Sequence, residues 1–304
     1  MICANSLGQS NDQYMQKLLV TGASGFLGWY ITEAATTWQV IGTYWHHRNI
    51  AQSPYSVPVD LTNQQAVQQL FQDQKPDAVV HAAALSQPNA CQQHPNLSYK
   101  INVLAAWQIA EECARLDIPC VFTSSEQVFD GTQAPYREID PVSPINLYGE
   151  HKALAETGML ARHRKVIVCR MPLMFGAAPT ASSFIQPFIQ RLRTGEQLQA
   201  FTDEIRMPLS GWDAAQGLLL TLEQKYQGIL HLGGPASLSR FAMAKILVEV
   251  LGIDQANITP CKQADVQMAA PRPQNLAMDN TIALKLGFKP QDFRSALLTI
   301  RDRL

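Results

Sequence analysis

Short apolar runs closed by glycine or polar clusters alternate with segments of helical periodicity through the first 175 residues. Lys17-Leu-Leu-Val-Thr21 is the first apolar run and reads as a buried strand, and Trp29–Trp38 reads as the helix after it. Gln39–Thr43, Val57–Leu61 and Ala78–Ala84 read as the second, third and fourth strands. Tyr99–Leu116 carries apolar residues at Ile101, Leu104, Ala105, Ile109 and Cys113, a helical spacing. Val121-Phe122 opens a fifth strand and Val166–Arg170 forms a sixth. Strand and helix in alternation predict an α/β fold, a doubly wound parallel sheet with its ligand at the strand C-termini.

Beyond Phe175-Gly176 the pattern loosens into a smaller C-terminal lobe. Helices are expected at Phe184–Arg193, Trp212–Glu223, Leu238–Leu251 and Asp279–Leu286, the last capped by Gly287. Ile229–Leu232 reads as a short strand with the option of rejoining the main sheet. The expected division is a leader at 1–16, a cofactor-binding domain at 17–175 and a mainly substrate-binding lobe at 176–304.

Composition narrows the classes. The 304 residues are 46% hydrophobic and 16% charged, with a net charge of −1 and no basic run longer than Arg162-His-Arg-Lys165. That balance gives no footing for nucleic acid or an anionic membrane, and no apolar run approaches the ~20 residues of a membrane span. Six cysteines, with no Cys-x-x-Cys and no metal-like spacing to histidine, fit free thiols in a reducing compartment. The cytoplasm is therefore the expected location, and no metal site is expected.

Two motifs carry candidate chemistry. The turn Gly22-Ala-Ser-Gly25-Phe-Leu-Gly28 joins the first strand to the first helix, where helix N-terminal N–H groups can hold a pyrophosphate. After the second strand comes Tyr44-Trp-His-His-Arg48 with no acid for a ribose 2′-hydroxyl. His46, His47 and Arg48 can each donate to a 2′-phosphate, which favours NADP over NAD. Asp60, ending the third strand, can bond an adenine amino group or cap the next helix, for which Thr62 or Asn63 is better placed. The small residues Ala82, Ala83 and Ala84 let a flat ring or ribose approach the backbone. His81 reads as a packed strand-end residue, and Asn102 either bridges backbone groups near the site or faces solvent.

The second motif spans Val121–Lys152. Tyr148 and Lys152 are four residues apart and share a helix face. If the strand end delivers Ser125 to that face, three groups converge that suit proton transfer to a sugar oxygen. The ammonium would lower the tyrosine pKa from near 10, and Ser125 would bond the substrate carbonyl. Asp203, Glu204, Arg206 and Arg170 are either nucleotide-sugar contacts or structural ion pairs.

Taken in order, Thr21–Gly28, His81–Ala84, Ser124-Ser125 with Val128-Phe-Asp-Gly131, and Tyr148-x-x-x-Lys152 resemble the extended short-chain dehydrogenase/reductases. More narrowly, SSEQVFDG, PYREIDPVSPINLYGEHK and CRMPLMFG resemble the dTDP-4-dehydrorhamnose reductase family, most strongly over 17–176. The same stretches also resemble the regulatory subunit of methionine adenosyltransferase, which shares the PYRE…NLYG…K segment and the RxPxxxG turn. One departure is Glu126-Gln127, where the reductases often have Asp-Tyr.

The resemblance implies a Rossmann domain binding NADP, with NADPH preferred over NADH, and a catalytic trio of Ser125, Tyr148 and Lys152. Combined with the residue reading, the cofactor set is Gly22, Gly25, Phe26, Leu27, Gly28, His46, His47, Arg48, Asp60, Leu61, Ala82, Ala83, Ala84, Asn102, Tyr148 and Lys152. The substrate set is Ser86, Ser125, Glu126, Tyr148, Arg170 and Arg206. The implied activity is reduction of a nucleotide-activated 4-keto-6-deoxy sugar, most simply dTDP-4-dehydrorhamnose. The alternatives are a sugar-nucleotide epimerase or dehydratase, and a non-catalytic NADP-binding regulatory subunit. A nucleotide-sugar is the expected partner, and a homodimer is a candidate assembly.

Overall fold

A computed structural model describes residues 15–45, 55–179 and 181–304. Seven strands form its centre: β1 Lys17–Thr21, β2 Gln39–Tyr44, β3 Ser56–Pro58, β4 Ala78–His81, β5 Cys120–Ser125, β6 Val166–Met171 and β7 Gly228–His231. All pair in parallel, in the order β7-β6-β5-β4-β1-β2-β3. The chain winds outward from β1 through β2 and β3, then crosses to β4 and winds the other way. The crevice where direction reverses lies between the ends of β1 and β4, the place such sheets bind ligands.

Side-chain alternation along the strands divides the core in two. Leu18, Val20, Val121 and Ile167 face the helices Phe26–Ala34 and Gly211–Glu223. Leu19, Val79, Phe122 and Val168 face the helices Gln64–Gln74, Ala105–Leu116 and Leu147–Arg162. Because both faces are covered, residues 18–20 of β1 and 120–122 of β5 read as continuous apolar stretches instead of alternating ones.

Several boundaries differ from expectation for local reasons. The first helix starts at Phe26, inside the glycine motif, and ends at Ala34. The β-branched pair Thr36-Thr37 beyond it favours a turn, closed by Trp38 N–H on Ala35. β3 stops at Pro58, and Asp60 sits in a turn, where its Oδ1 accepts from Thr62 N and Oγ1 at 2.9 and 2.7 Å. The next helix is capped by Asn63. β4 ends at His81 because Thr21 Oγ1 takes the N–H groups of Ala82 and Ala83 out of the ladder. The expected Tyr99–Leu116 helix is interrupted by a π turn at Lys100–Leu104.

In the second lobe, Leu198–Phe201 pairs with Ile258–Cys261, and Ile205–Arg206 pairs with Leu238–Ser239. Leu238 and Ser239 are therefore strand, and the helix expected from Leu238 begins at Arg240 behind a Ser239 cap. The helices at Ile185–Arg193, Gly211–Glu223 and Thr281–Lys285 lie within one or two residues of expectation. Phe175, Met243, Leu247, Phe293 and Leu297 form a separate core for this lobe. Among the described residues, no helix is long and apolar enough to cross a membrane. The expected leader falls almost wholly outside the described residues, as do His46, His47 and Arg48.

Candidate active site

The C-terminal ends of β1, β4 and β5 open on a cleft of about 930 Å³ between the sheet and the second lobe, at the upper end of ordinary small-molecule sites. Gly22, Gly25, Phe26, Leu27 and Gly28 line one end, with Asp60, Leu61, Ala82, Ala83 and Ala84 beside them. Gly28 is required here: a Cβ on it would stand 2.1 Å from the Gly22 carbonyl oxygen. That close approach turns β1 directly into the helix, whose first turn no side chain caps. Uncapped N–H groups at a helix start hold anions. His81 lies behind this turn, buried and bonded through Nδ1 to Thr21 Oγ1 at 2.7 Å, with burial lowering its pKa to about 3. It is a packed strand-end residue.

At the other end of the cleft, Ser125 is the last residue of β5 and Tyr148 lies in the first turn of the Leu147–Arg162 helix. Asn146 caps that helix, accepting from Gly149 N at 2.9 Å. Gly149 presses on the following turn so tightly that a Cβ would lie 2.0 Å from the Gln127 carbonyl. The contact sets Tyr148 beside Ser125, whose hydroxyl favours the ionised phenol. Gln127 Oε1 also accepts from Asn146 Nδ2 at 3.1 Å. Of the departing pair Glu126-Gln127, Gln127 therefore latches the helix and Glu126 faces the cleft.

Lys152 is fully buried, with Nζ donating to the Thr123 carbonyl at 2.8 Å and lying 4.5 Å over the Phe122 ring. Burial lowers its pKa to about 8, opposed by the negative charge of Glu156. The expected lowering of the Tyr148 pKa is not found. Burial raises it well above the usual phenol value, and the neighbouring Ser125 hydroxyl only partly offsets this. In the protein alone, Tyr148 is a protonated phenol.

Two residues assigned to the cleft lie elsewhere. Asn102 is buried in the π turn, which turns its amide toward the loop after β4. Its Oδ1 accepts from Leu85 N at 3.0 Å, and its Nδ2 donates to Leu85 O and Ser98 Oγ at 3.1 Å each. It fixes the loop carrying Ala84 and Ser86 and has no surface on the cleft. Arg170 shares a sheet face with Val166 and Val168, toward the Leu147–Arg162 helix, while Met171 on the opposite face lines the cleft. Its guanidinium is bidentate to Glu156, with Nη2 at 2.8 Å, and stacks 4.9 Å from Phe129. Ser124 Oγ bonds the same carboxylate at 2.5 Å. Arg170 is thus a structural ion pair, not a substrate contact.

Ser86, Glu126, Glu204 and Arg206 do line the cleft, whereas Asp203 turns away to accept from Gln263 N at 3.0 Å. Sequence reasoning missed Arg240 and Arg272, which also line it. The Pro271-Arg-Pro273 turn was a usable signal for Arg272, because rigid flanks hold a charged residue at a fixed place. Arg240 had none, since it reads as an ordinary first-turn helix residue.

A family model, the RmlD substrate binding domain, matches residues 15–304. The chain belongs to this family. Among curated relatives, methionine adenosyltransferase 2 subunit beta of Xenopus laevis is 29% identical over 282 residues, covering 90% of this chain and 83% of that protein. Among solved structures, a dTDP-4-dehydrorhamnose reductase from Clostridium acetobutylicum is similar at a TM-score of 0.84 and 26% identity, covering 94% of this chain and 99% of that one. A dTDP-4-dehydrorhamnose reductase from Bacillus anthracis, in complex with NADP, has the same fold at a TM-score of 0.85 and 22% identity, covering 95% and 99%. Both resemblances seen in the sequence, to the reductases and to the methionine adenosyltransferase subunit, are therefore found across most of this RmlD-family chain.

Proposed function

We propose that this protein is an NADP-dependent reductase of a nucleotide-activated 4-keto-6-deoxy sugar, with dTDP-4-dehydrorhamnose the simplest substrate and dTDP-rhamnose the product. The observation carrying this reading is that Ser125, Tyr148 and Lys152 share one cleft with an uncapped glycine-turn helix. The residues fit NADP: the Gly22–Gly28 turn offers N–H groups to a pyrophosphate, and Ala82–Ala84 leave room against the backbone. Asp60 and Leu61 flank the adenine end. His46, His47 and Arg48, outside the described residues, would take the 2′-phosphate, and Lys152 the nicotinamide ribose. The NADP held by the similar Bacillus anthracis protein supports this assignment.

When bound, NADPH supplies hydride to the sugar C4 carbon. Tyr148 then delivers its proton to the carbonyl oxygen, yielding the alcohol. Tyr148 is protonated at neutral pH, the state a general acid needs; its raised proton affinity opposes release, which the charge growing on the carbonyl oxygen drives. Ser125 donates to the same oxygen, where negative charge grows.

The test is NADPH oxidation by the purified protein over dTDP-, GDP- and UDP-4-keto sugars, with NADH in parallel. Turnover is expected with NADPH, and Tyr148→Phe should lower kcat by roughly 10²–10⁴-fold while NADPH binding persists. NADP binding without turnover on any sugar overturns the reductase. Tightly retained cofactor with no net oxidation of NADPH points to an epimerase or dehydratase. The similarity to methionine adenosyltransferase 2 subunit beta favours a second reading, a regulatory subunit; co-purification with a methionine adenosyltransferase, without reductase activity, would select it.

A further inference from the structure

A row of four charged side chains crosses the cleft wall next to Ser125. Glu126 meets Arg206, with Nε 3.2 Å from Oε1. Arg206 Nη2 lies 3.7 Å from Glu204 Oε1, and the same oxygen lies 3.6 Å from Arg240 Nε. The rest of the Arg206 guanidinium is committed to the carbonyls of Ile205, Pro273 and Gln274. Arg240 rests on the Phe184 and Phe188 rings, 4.1 and 5.1 Å from their centroids.

Both ends of the row are incomplete. Glu126 has a side chain only 4% exposed, yet Oε2 has no hydrogen-bond partner. Arg240 Nη1 is likewise buried and unpartnered. Buried polar atoms are nearly always paired, so two exceptions on residues that line one cleft point to a ligand that reaches them. The row fixes the character of that ligand. Two carboxylates disfavour a phosphate, and two guanidiniums disfavour a cation. A hydroxyl both donates and accepts, so it satisfies Glu126 in either protonation state and also accepts from Arg240. Arg272 differs: it lines the cleft, bonds Ala270 O and Asn89 Oδ1, and has no carboxylate within ion-pair distance among the described residues. A cation without a carboxylate suits the diphosphate.

We propose that Glu126 and Arg240 form the two ends of a pyranose-hydroxyl subsite, which selects the substrate by the hydroxyl pattern of its sugar and not by its charge or base. The proposal rests on the reading of the cleft as a nucleotide-sugar site. Each end is a specificity contact, separate from the proton transfer at Tyr148.

Calorimetric titration of the full chain with dTDP and dTDP-glucose, and with UDP and UDP-glucose, separates the parts. In the wild type the hexosyl group should add affinity over the diphosphate alone. Glu126→Gln and Arg240→Met should each remove about tenfold of that hexose-dependent gain, the worth of one charged hydrogen bond, while dTDP and UDP bind as in the wild type. Arg240→Lys keeps a charge beside Glu204 and the rings, so a loss in Arg240→Met alone, with an unchanged circular dichroism spectrum, excludes misfolding. A ring-deoxy analogue lacking the contacted hydroxyl should bind wild type and variant equally. Variants that keep the full hexose gain, or lose diphosphate affinity equally, overturn the subsite. Wild-type protein that binds none of the four ligands overturns the nucleotide-sugar reading itself, and the subsite with it.

Discussion

Removing one partner from the Arg170–Glu156 pair tests whether Arg170 belongs to the core or to the cleft. The two side chains are 3% and 4% exposed, so Arg170→Met strands a buried carboxylate and Glu156→Gln strands a buried guanidinium. Breaking such a pair costs about 3–5 kcal/mol, most of it the penalty for the charge left behind. For a chain of 304 residues, an unfolding entropy of about 2.1 cal/mol/K per residue converts that into a fall in Tm of roughly 5–8 °C. Loss of the Ser124 bond to Glu156 adds to it in variants that remove the carboxylate. Thermal unfolding followed by circular dichroism measures the effect. The double variant Arg170→Met/Glu156→Leu should recover part of the loss, because neither member of the pair is left behind, while Lys152 loses the supporting charge of Glu156. A single variant whose Tm moves by less than about 1 °C while nucleotide-sugar affinity collapses would refute the assignment and return Arg170 to the cleft.

Two further outcomes follow from the cleft. Gly28→Ala forces a Cβ against the Gly22 carbonyl, 2.1 Å away, so NADPH affinity measured by fluorescence should fall at least about tenfold. Wild-type affinity would show that the turn can relax. Burial holds the folded-state pKa of Lys152 at about 8, against an ordinary lysine value of 10.5. Below about pH 8 its charge is buried at a cost, and stability rises as pH climbs from about 8 toward 10.5, where the unfolded chain binds more protons. Lys152→Met should therefore raise Tm at pH 7, by an amount on the order of 3 kcal/mol in free energy, and the gain should vanish near pH 10.5. A gain that does not change with pH would exclude buried charge as its source.

How much of this was legible in the sequence depended on where the deciding partner lies. β1, β2 and β6 lie within one residue of their apolar runs, because a buried strand needs nothing but its own side chains. The pairing of Ser125 with Tyr148 followed from a strand end and a helix spacing. Arg170 stayed open between a cleft contact and a structural ion pair because a strand-end arginine shows its face only through neighbours. The available signal was Glu156, one turn beyond Lys152 on the same helix. Asn102 depended on a π turn that no periodicity announces, and its partner Leu85 sits in an irregular loop. The Tyr148 pKa was misjudged because a Tyr-x-x-x-Lys spacing says nothing about burial, which is the larger effect here.

The edge strand β7 comes from the second lobe. The chain leaves the sheet after β6, builds part of that lobe, and returns to lay Gly228–His231 along β6 before leaving again. A further bridge ties Tyr136 to Met278. A fragment cut at residue 175 would expose β6 as a bare edge, open to pairing with other chains. Exchanging second lobes between relatives by a single splice would thus graft the sheet's own border along with the lobe. Chimeras should carry residues 228–231 with the sheet they complete, so that the crossover count is two or more.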